Sequence, residues 1–451
     1  MTAFAFLALF AATLAGYALN RHAAGAIRAG GVQLHSLPQF HGGYAALRVA
    51  LPGLVFLLLW VAAQGPVISY LVLNGLPEGD GGNLVLTEIE SIARGTIFGT
   101  PEPWKLDAAA RMVVLQTGAR WLMLGGLAVI AATSLLLSRT RVAAAFRARQ
   151  ATERMVLGLM IFCSVVAILT TAGIVLSLLF ESLRFFRMVP ITEFLFGLNW
   201  EPQIPIRADQ VAGVGAFGWL PVIVGTIVVT LVAVFIAVPI GLFSAIYLNE
   251  FAPRRVRAVA KPLLEILSGV PTVVYGFFAV LTVTPALRQL GATLGLDVAP
   301  NTALAAGSVM GMMLVPFISS FADDALSAVP RSLRDGSLAL GATRAETMLK
   351  VLFPAAIPGI VGGVLLAVSR AIGETMIVVM AAGLIAKLTL NPLDSVTTVT
   401  VQIVTLLIGD TAFDSPKTLA AFALGLMLFI VTLGINVLAL RIVRKYRELY
   451  D

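Results

Sequence analysis

Apolar positions in this chain come in continuous runs of about twenty residues, broken by short polar segments rich in Arg, Gly and Pro. A run of that length spans the ~30 Å hydrocarbon layer as a helix. The runs do not alternate apolar with polar, so they read as helices and not as the strands of a barrel. The pattern predicts nine spans, at residues 1–20, 50–73, 121–138, 155–180, 220–248, 263–287, 303–321, 357–385 and 419–440. The expected fold is therefore all-α and polytopic. The first run has no basic start and no small-residue cleavage site, so it reads as a retained span and not as a signal peptide.

Composition agrees with a bilayer. Hydrophobic residues make up 59% of the chain and charged residues 12%, with a mean hydropathy of +0.94. Soluble domains carry roughly 25% charge. The net charge of +7 reads as membrane-loop charge and not as a nucleic-acid surface. Twenty of the 31 Lys and Arg fall on one side, in loops around Arg21–Arg48, Arg139–Arg154, Arg254–Lys261 and Arg331–Lys350 and in the tail from Arg441. The positive-inside rule then places the N-terminus in the periplasm and the C-terminus in the cytoplasm of a bacterial inner membrane. The nine spans, an odd count, agree.

The outer segments are expected at residues 74–120, 181–216 and 386–417. The first carries six acids and a turn string at 77–82, with a short helix expected near 108–116. The single cysteine, Cys163, rules out a disulfide within the chain and reads as a small buried core residue. His22, His35 and His41 share the first cytoplasmic loop but lack a ligand spacing, so they read as solvated loop residues and no metal site is expected. A composition seam falls near residue 150. Residues 1–150 hold three spans without a chemical motif, an accessory region whose role the sequence leaves open. Residues 151–451 hold six spans with Gly and Pro inside them, which lets helix backbones approach and is tolerated where neighbours satisfy the freed backbone groups.

The chemistry concentrates between Val329 and Gly383. Ser332-x-x-Asp335 reads as one capping box and Thr343-x-x-Glu346 as a second, with Gly341 between them. Two short helices with a glycine corner follow, with Leu338, Leu340, Met348 and Val351 as their apolar face. Such a knuckle is either a handle for a soluble partner or an interfacial helix joining two spans. The next span holds Arg370 and Glu374, four apart and so on one helix face about one turn from each other. Ionised groups at mid-bilayer cost at least ~2.5–3.5 kcal/mol, so they face a bundle interior or a wet path. The pair reads either as a structural ion pair or as an anion site in which Arg370 meets oxyanion oxygens and Glu374 holds Arg370 in the empty state.

Asp335-Gly336-Ser337-x3-Gly341-x9-Val351-x-Phe353-Pro354 resembles the EAA loop of ABC importer permeases, with Asp-Gly-Ser in place of Glu-Ala-Ala. Three further segments sharpen the likeness: 270–276 (VPTVVYG), 340–347 (LGATRAET) and 369–376 (SRAIGETM). Together they resemble the phosphate-specific, PstC-type permeases over residues 155–451. Residues 1–150 resemble the extended N-terminal region of some of them.

The resemblance implies a six-helix type I permease core. It also implies that the loop at 330–354, through Arg334, Asp335, Gly336, Ser337, Gly341, Ala342, Thr343 and Glu346, seats in a separate ATPase subunit (PstB type) that binds ATP-Mg. Arg370 and Glu374 are implied as residues needed for phosphate transport, with Ser268 and Thr272 as further candidates for the path. A second permease (PstA type) and a periplasmic phosphate-binding protein (PstS type) complete the implied partners, with the lipid bilayer around them and no nucleic acid. The chain has no Gly-x4-Gly-Lys-[Ser/Thr] loop of its own, so it is expected to be a transport subunit, not an enzyme, and to hold no cofactor. Tyr275 and Thr282 are weaker candidates for the path, Asp323 and Asp324 read as boundary residues or partners of nearby Arg, and Lys387 and Asp410 could meet the binding protein. Permeases for other oxyanions (sulfate, molybdate, phosphonate), an ion-coupled secondary transporter and a non-transporting scaffold remain as alternatives.

Overall fold

A computed structural model of the chain describes residues 2–74, 83–96, 102–203, 215–408 and 414–447. The turn string at 77–82 and Asp410 lie outside the described residues. The chain divides into two compact units, Met1–Leu169 and Thr170–Asp451. Among the described residues, nine helices are long and apolar enough to cross a membrane, the number the apolar runs predict.

The first unit contains α1 (Thr2–Ala29), α2 (Pro38–Leu73), α3 (Asn83–Ala93), α4 (Pro103–Arg139) and the start of α5 (Ala148–Met188). Val49, Leu57, Met123 and Leu127 form one core, and Ile68, Ile89 and Met112 a second. The short helix expected near 108–116 is part of α4. Pro103, in the first helical turn, starts that helix earlier because proline fixes φ and lacks only an N–H that would go unpaired there. Pro38 does the same for α2. His41 therefore sits inside a helix and is buried, not solvated in a loop. Cys163 is exposed, contrary to the core reading. Lipid is as apolar as a core, so an apolar residue on a span gains little by facing inward.

The second unit contains the rest of α5, α6 (Ile191–Phe196), a short antiparallel pair β1 (Trp200–Glu201) and β2 (Ala216–Phe217), and α7 (Leu220–Ile246). It continues with α8 (Arg254–Ser268), α9 (Thr272–Phe278), α10 (Thr284–Leu294) and α11 (Ala303–Ala328). After these come α12 (Arg331–Ala339), α13 (Arg344–Thr347), α14 (Phe353–Ile372), α15 (Met376–Ala381), α16 (Val399–Leu407) and α17 (Pro416–Arg447). π-helical turns at Tyr247–Phe251, Ala279–Val283 and Met348–Leu352 join α7 to the segment before α8, α9 to α10, and α13 to α14.

Helix α11 is the central strut. It runs parallel to α7, with Gly307 and Gly311 against Val232, Ala233 and Ile236, and Gly241 against Ile318. Small residues let the two backbones close up. Around this pair Val229, Met310, Leu314, Ile318, Ile377 and Val378 form the main core.

Two expected spans are interrupted. The run at 263–287 breaks at Gly269–Pro271, where α8 ends and α9 begins. Pro271 forces Val270 out of helical geometry and offers no N–H. The span is Thr272–Leu294, and α8 is a separate amphipathic helix. The run at 357–385 breaks at 373–375, and its membrane helix ends at Ile372. Helix α16, inside an expected loop, has no counterpart in the apolar runs. It is buried through Val399, Val401, Gln402 and Leu406.

Candidate functional site

The knuckle is built mainly from local rules. Thr343 Oγ1 accepts the Glu346 amide, and Glu346 Oε2 accepts the Thr343 amide at 2.9 Å, so the second capping box forms as the sequence predicts. Gly341 has φ +86°, a conformation costly for residues with a Cβ. Its amide donates to the Leu338 carbonyl and the Ala342 amide to the Ser337 carbonyl, which is the Schellman ending of α12. The first expected box does not form. Helix α12 starts at Arg331 with Pro330 at the N-cap and no side-chain cap, so Ser332 lies too far inside the helix to cap it. The expected apolar face splits: Met348 is buried, while Leu340 is 91% exposed and Leu338 also faces out. Asp335, Gly336 and Arg344 are exposed as well, and Ala342 is half-buried.

Tertiary contacts tie the knuckle to the spans. Ser337 and Thr347 share a hydroxyl hydrogen bond at 2.9 Å. Arg334 reaches Glu250 on the π turn after α7 at 2.6 Å. That carboxylate oxygen has no hydrogen bond of good angle, so charge holds the contact. The neighbouring Asn249 donates to Asp323 Oδ1 at 2.6 Å and to Ser327 at 2.9 Å. Asp323 is buried and receives Lys261 at 2.8 Å and Arg257 at 3.2 Å, both from α8. The bond that Lys261 donates to the Asp323 carboxylate raises its ammonium above the usual range. Asp323 is thus a partner of nearby cations, as one reading of the sequence has it, and Asn249 and Glu250 complete a network that no sequence motif marks. A cavity of about 190 Å³ opens beside it, lined by Lys261, Glu265, Ser268, Phe317, Ser320 and Asp323 among others.

The helix break carries the second group. Along α14, Gly359 faces Ala325, Gly363 faces Phe321, and the Arg370 guanidinium lies 5.6 Å from the Phe317 ring centre. Phe317 is near the middle of α11, so Arg370 sits at mid-depth among the spans. It is exposed, and among the described residues no carboxylate lies within 4.0 Å of it. The one-face geometry expected for Arg370 and Glu374 does not occur, because α14 ends at Ile372. Glu374 Oε1 instead accepts the Met376 amide at 3.1 Å, at the start of α15. The Glu374 carbonyl accepts the Thr400 hydroxyl of α16 at 2.8 Å. The negative end of the α14 dipole favours Arg370, and Glu374 holds the first turn of the next helix. Each charge therefore has its own support.

The other candidates separate. Ser268 lines the cavity that includes Phe317, so it shares that ring with Arg370, but its own hydroxyl donates to the Glu265 carbonyl. Thr272 opens α9 and does not line the cavity. The Tyr275 hydroxyl donates to the Leu267 carbonyl across the 269–271 break, and Thr282 is exposed. Gly276 packs so closely on α15 that an added Cβ would meet Met380 Sδ at 2.6 Å. Lys387 bonds Asp394 at 3.0 Å, and Thr389 and Lys387 hold the Asp394 carboxyl below its usual range. Sequence reasoning missed Gln402, which accepts from Trp200 Nε1 and donates to the Leu384 carbonyl and Thr397. It is a buried polar residue whose partners Trp200 and Leu384 lie far away in sequence.

Comparison with known proteins follows the same division of the chain. Residues 6–170 match a family model described as "Phosphate ATP-binding cassette transporter". Residues 237–448 match one described as "Binding-protein-dependent transport system inner membrane component". A probable ABC transporter permease protein, YqgH, of Bacillus subtilis is 35% identical over 60% of this chain and 84% of its own length. The phosphate transport system permease protein PstC 1 of Mycobacterium tuberculosis is 33% identical over 56% of this chain and 81% of its own. A crystal structure of a bacterial alginate ABC transporter aligns with a TM-score of 0.45 at 14% identity, over 66% of this chain and 96% of that one. With identity and coverage at this level, and the knuckle and broken helices in place, the chain belongs to the ABC transporter permeases, the inner-membrane components of binding-protein-dependent transport systems.

Proposed function

We propose that this chain is the channel-forming subunit of an ATP-driven importer of inorganic phosphate. The observation that carries the reading is the state of Arg370, a cation at mid-depth with no carboxylate partner among the described residues. An unpaired guanidinium there is costly unless a passing anion or water meets it. Phosphate oxygens suit its planar donor fork. Glu374, held by the helix break, places negative charge near the anion's route and keeps binding weak enough for release. The relatives named as phosphate permeases support the same substrate.

The energy enters through the knuckle. A partner ATPase holding ATP-Mg grips α12 through the exposed Leu340, Leu338 and Asp335, and Arg334 passes the stroke to Glu250 on the α7 side. A second permease completes the pore, and a periplasmic binding protein delivers phosphate at the end opposite the knuckle. The knuckle and C-terminus lie in the cytoplasm and the N-terminus in the periplasm, as the basic loops require.

The test is labelled-phosphate uptake in cells expressing the chain with its partners and lacking other phosphate importers. Arg370→Gln is expected to cut uptake by about 10- to 100-fold, the scale of charge-assisted hydrogen bonds worth ~1.5–3 kcal/mol, with the amount in the membrane unchanged. Excess sulfate or molybdate should not compete. Wild-type uptake in Arg370→Gln would refute the role given to that residue, and competition by sulfate would move the substrate to another oxyanion.

A further inference from the structure

The first unit holds a cluster to which the transport reading gives no role. Tyr44 on α2 is buried, and its phenol oxygen accepts two guanidinium donors. Arg48 Nη1 donates at 2.5 Å and Arg141 Nη1, from the turn after α4, at 3.4 Å. Two cations bonded to one oxygen lie no more than about 6 Å apart, inside the ~8 Å Debye length of physiological salt. They repel each other, and among the described residues no carboxylate lies within 4.0 Å of either. The sequence provides none nearby along the chain, since residues 1–77 and 108–152 contain no Asp or Glu.

The arrangement is built and not incidental. The Tyr44 ring packs edge-on against Phe146 at 5.1 Å, and the His41 ring lies 5.8 Å from the same Phe146 ring. His41 is 1% exposed, and its Nε2 has no hydrogen-bond partner among the described residues. The His35 amide donates to the Ala144 carbonyl at 2.9 Å and pins the α1–α2 turn to the α4–α5 turn. Both lone pairs of the Tyr44 oxygen are engaged, so its O–H is free to donate outward. Arg141 is exposed and Arg48 half-buried, near one end of their spans, where headgroups lie.

We infer that Arg48, Arg141 and Tyr44 form a binding site for a phosphoryl oxyanion, carried by an anionic lipid headgroup or free in solution. Two guanidinium groups provide the charge and the planar donors, and the phenol adds a third donor between them. Basic pockets among spans near the surface recognise such headgroups. The site depends only on the geometry of the first unit and stands or falls apart from the transport reading.

The test uses the full-length chain purified in detergent. Native mass spectrometry measures retention of added cardiolipin against phosphatidylcholine, and thermal unfolding measures stabilisation by inorganic phosphate. The phosphate arm is run in the Arg370→Gln background, so that a transport path does not contribute. Cardiolipin is expected to be retained over phosphatidylcholine, and Arg141→Gln to weaken it about five-fold or more. Arg147→Gln, which removes an exposed cation in the same turn that does not touch Tyr44, is the control and should change retention less than about two-fold. Tyr44→Phe keeps the ring packing and should fall between them. Stabilisation by inorganic phosphate that Arg141→Gln removes would assign the site to the free anion. Equal losses in Arg141→Gln and Arg147→Gln, or no dependence of either probe on Arg141, would overturn the proposal.

Discussion

The knuckle between α12 and α14 and the break between α14 and α15 are both places where a helix stops, and they are made in opposite ways. At the knuckle the free backbone groups are largely closed by residues within five positions: Thr343 with Glu346, Gly341 with Leu338, and Ala342 with Ser337. At the break, local bonds from Gly373 to Ser369, Glu374 to Ala371 and Met376 to Glu374 are joined by one from Thr400, twenty-six positions further on. The first stop can form in water, as part of a surface meant to be gripped. The second lies at mid-depth, where an open backbone group costs several kcal/mol, and the Glu374 carbonyl gains its donor only when α16 arrives. A rigid handle and a conditional hinge follow from that difference.

Four substitutions probe the contrast. Arg334→Ala should have the largest effect, because it strands the Glu250 carboxylate. About 1–3 kcal/mol of stability should be lost, less than for a fully buried pair since Arg334 is partly exposed. Thermal unfolding of the purified chain would measure it, and adding Glu250→Gln should recover part of the loss. Thr400→Val should cost about 1–2 kcal/mol by leaving the Glu374 carbonyl short of its donor, with faster hydrogen exchange at both α15 and α16. Thr343→Ala should cost about 1 kcal/mol, and its exchange effect should stay within the knuckle. If Thr343→Ala loosens α16, or Thr400→Val leaves α16 unchanged, the contrast between local and distant closure is wrong. Gly336→Ala should stabilise α12 by up to about 1 kcal/mol, since a Cβ there meets nothing within 4 Å. Isolated α12 helicity by circular dichroism of the knuckle peptide would detect it.

The same contrast sets what could be read from sequence. Nine spans, the capping box at Thr343 and the corner at Gly341 were legible because their causes lie within a few residues. The break at 269–271 was half legible: Gly269 and Pro271 stood in view, but an apolar run long enough to span concealed that it is two helices. The break after Gly373 was not legible, because its donor, Thr400, lies in a segment that reads as loop. Ser332 misled for the reverse reason. Its spacing to Asp335 satisfies the capping rule, but Pro330 takes the N-cap first. Arg370 was found as a residue, while its true neighbour, Phe317, became apparent only from the packing of α14 on α11.

One property of the first unit has a physiological consequence. Its cations near Tyr44 are guanidinium groups, and the chain has no lysine before Lys105. That positive face therefore presents planar, delocalised donors, and salt or a bound counter-ion quenches it.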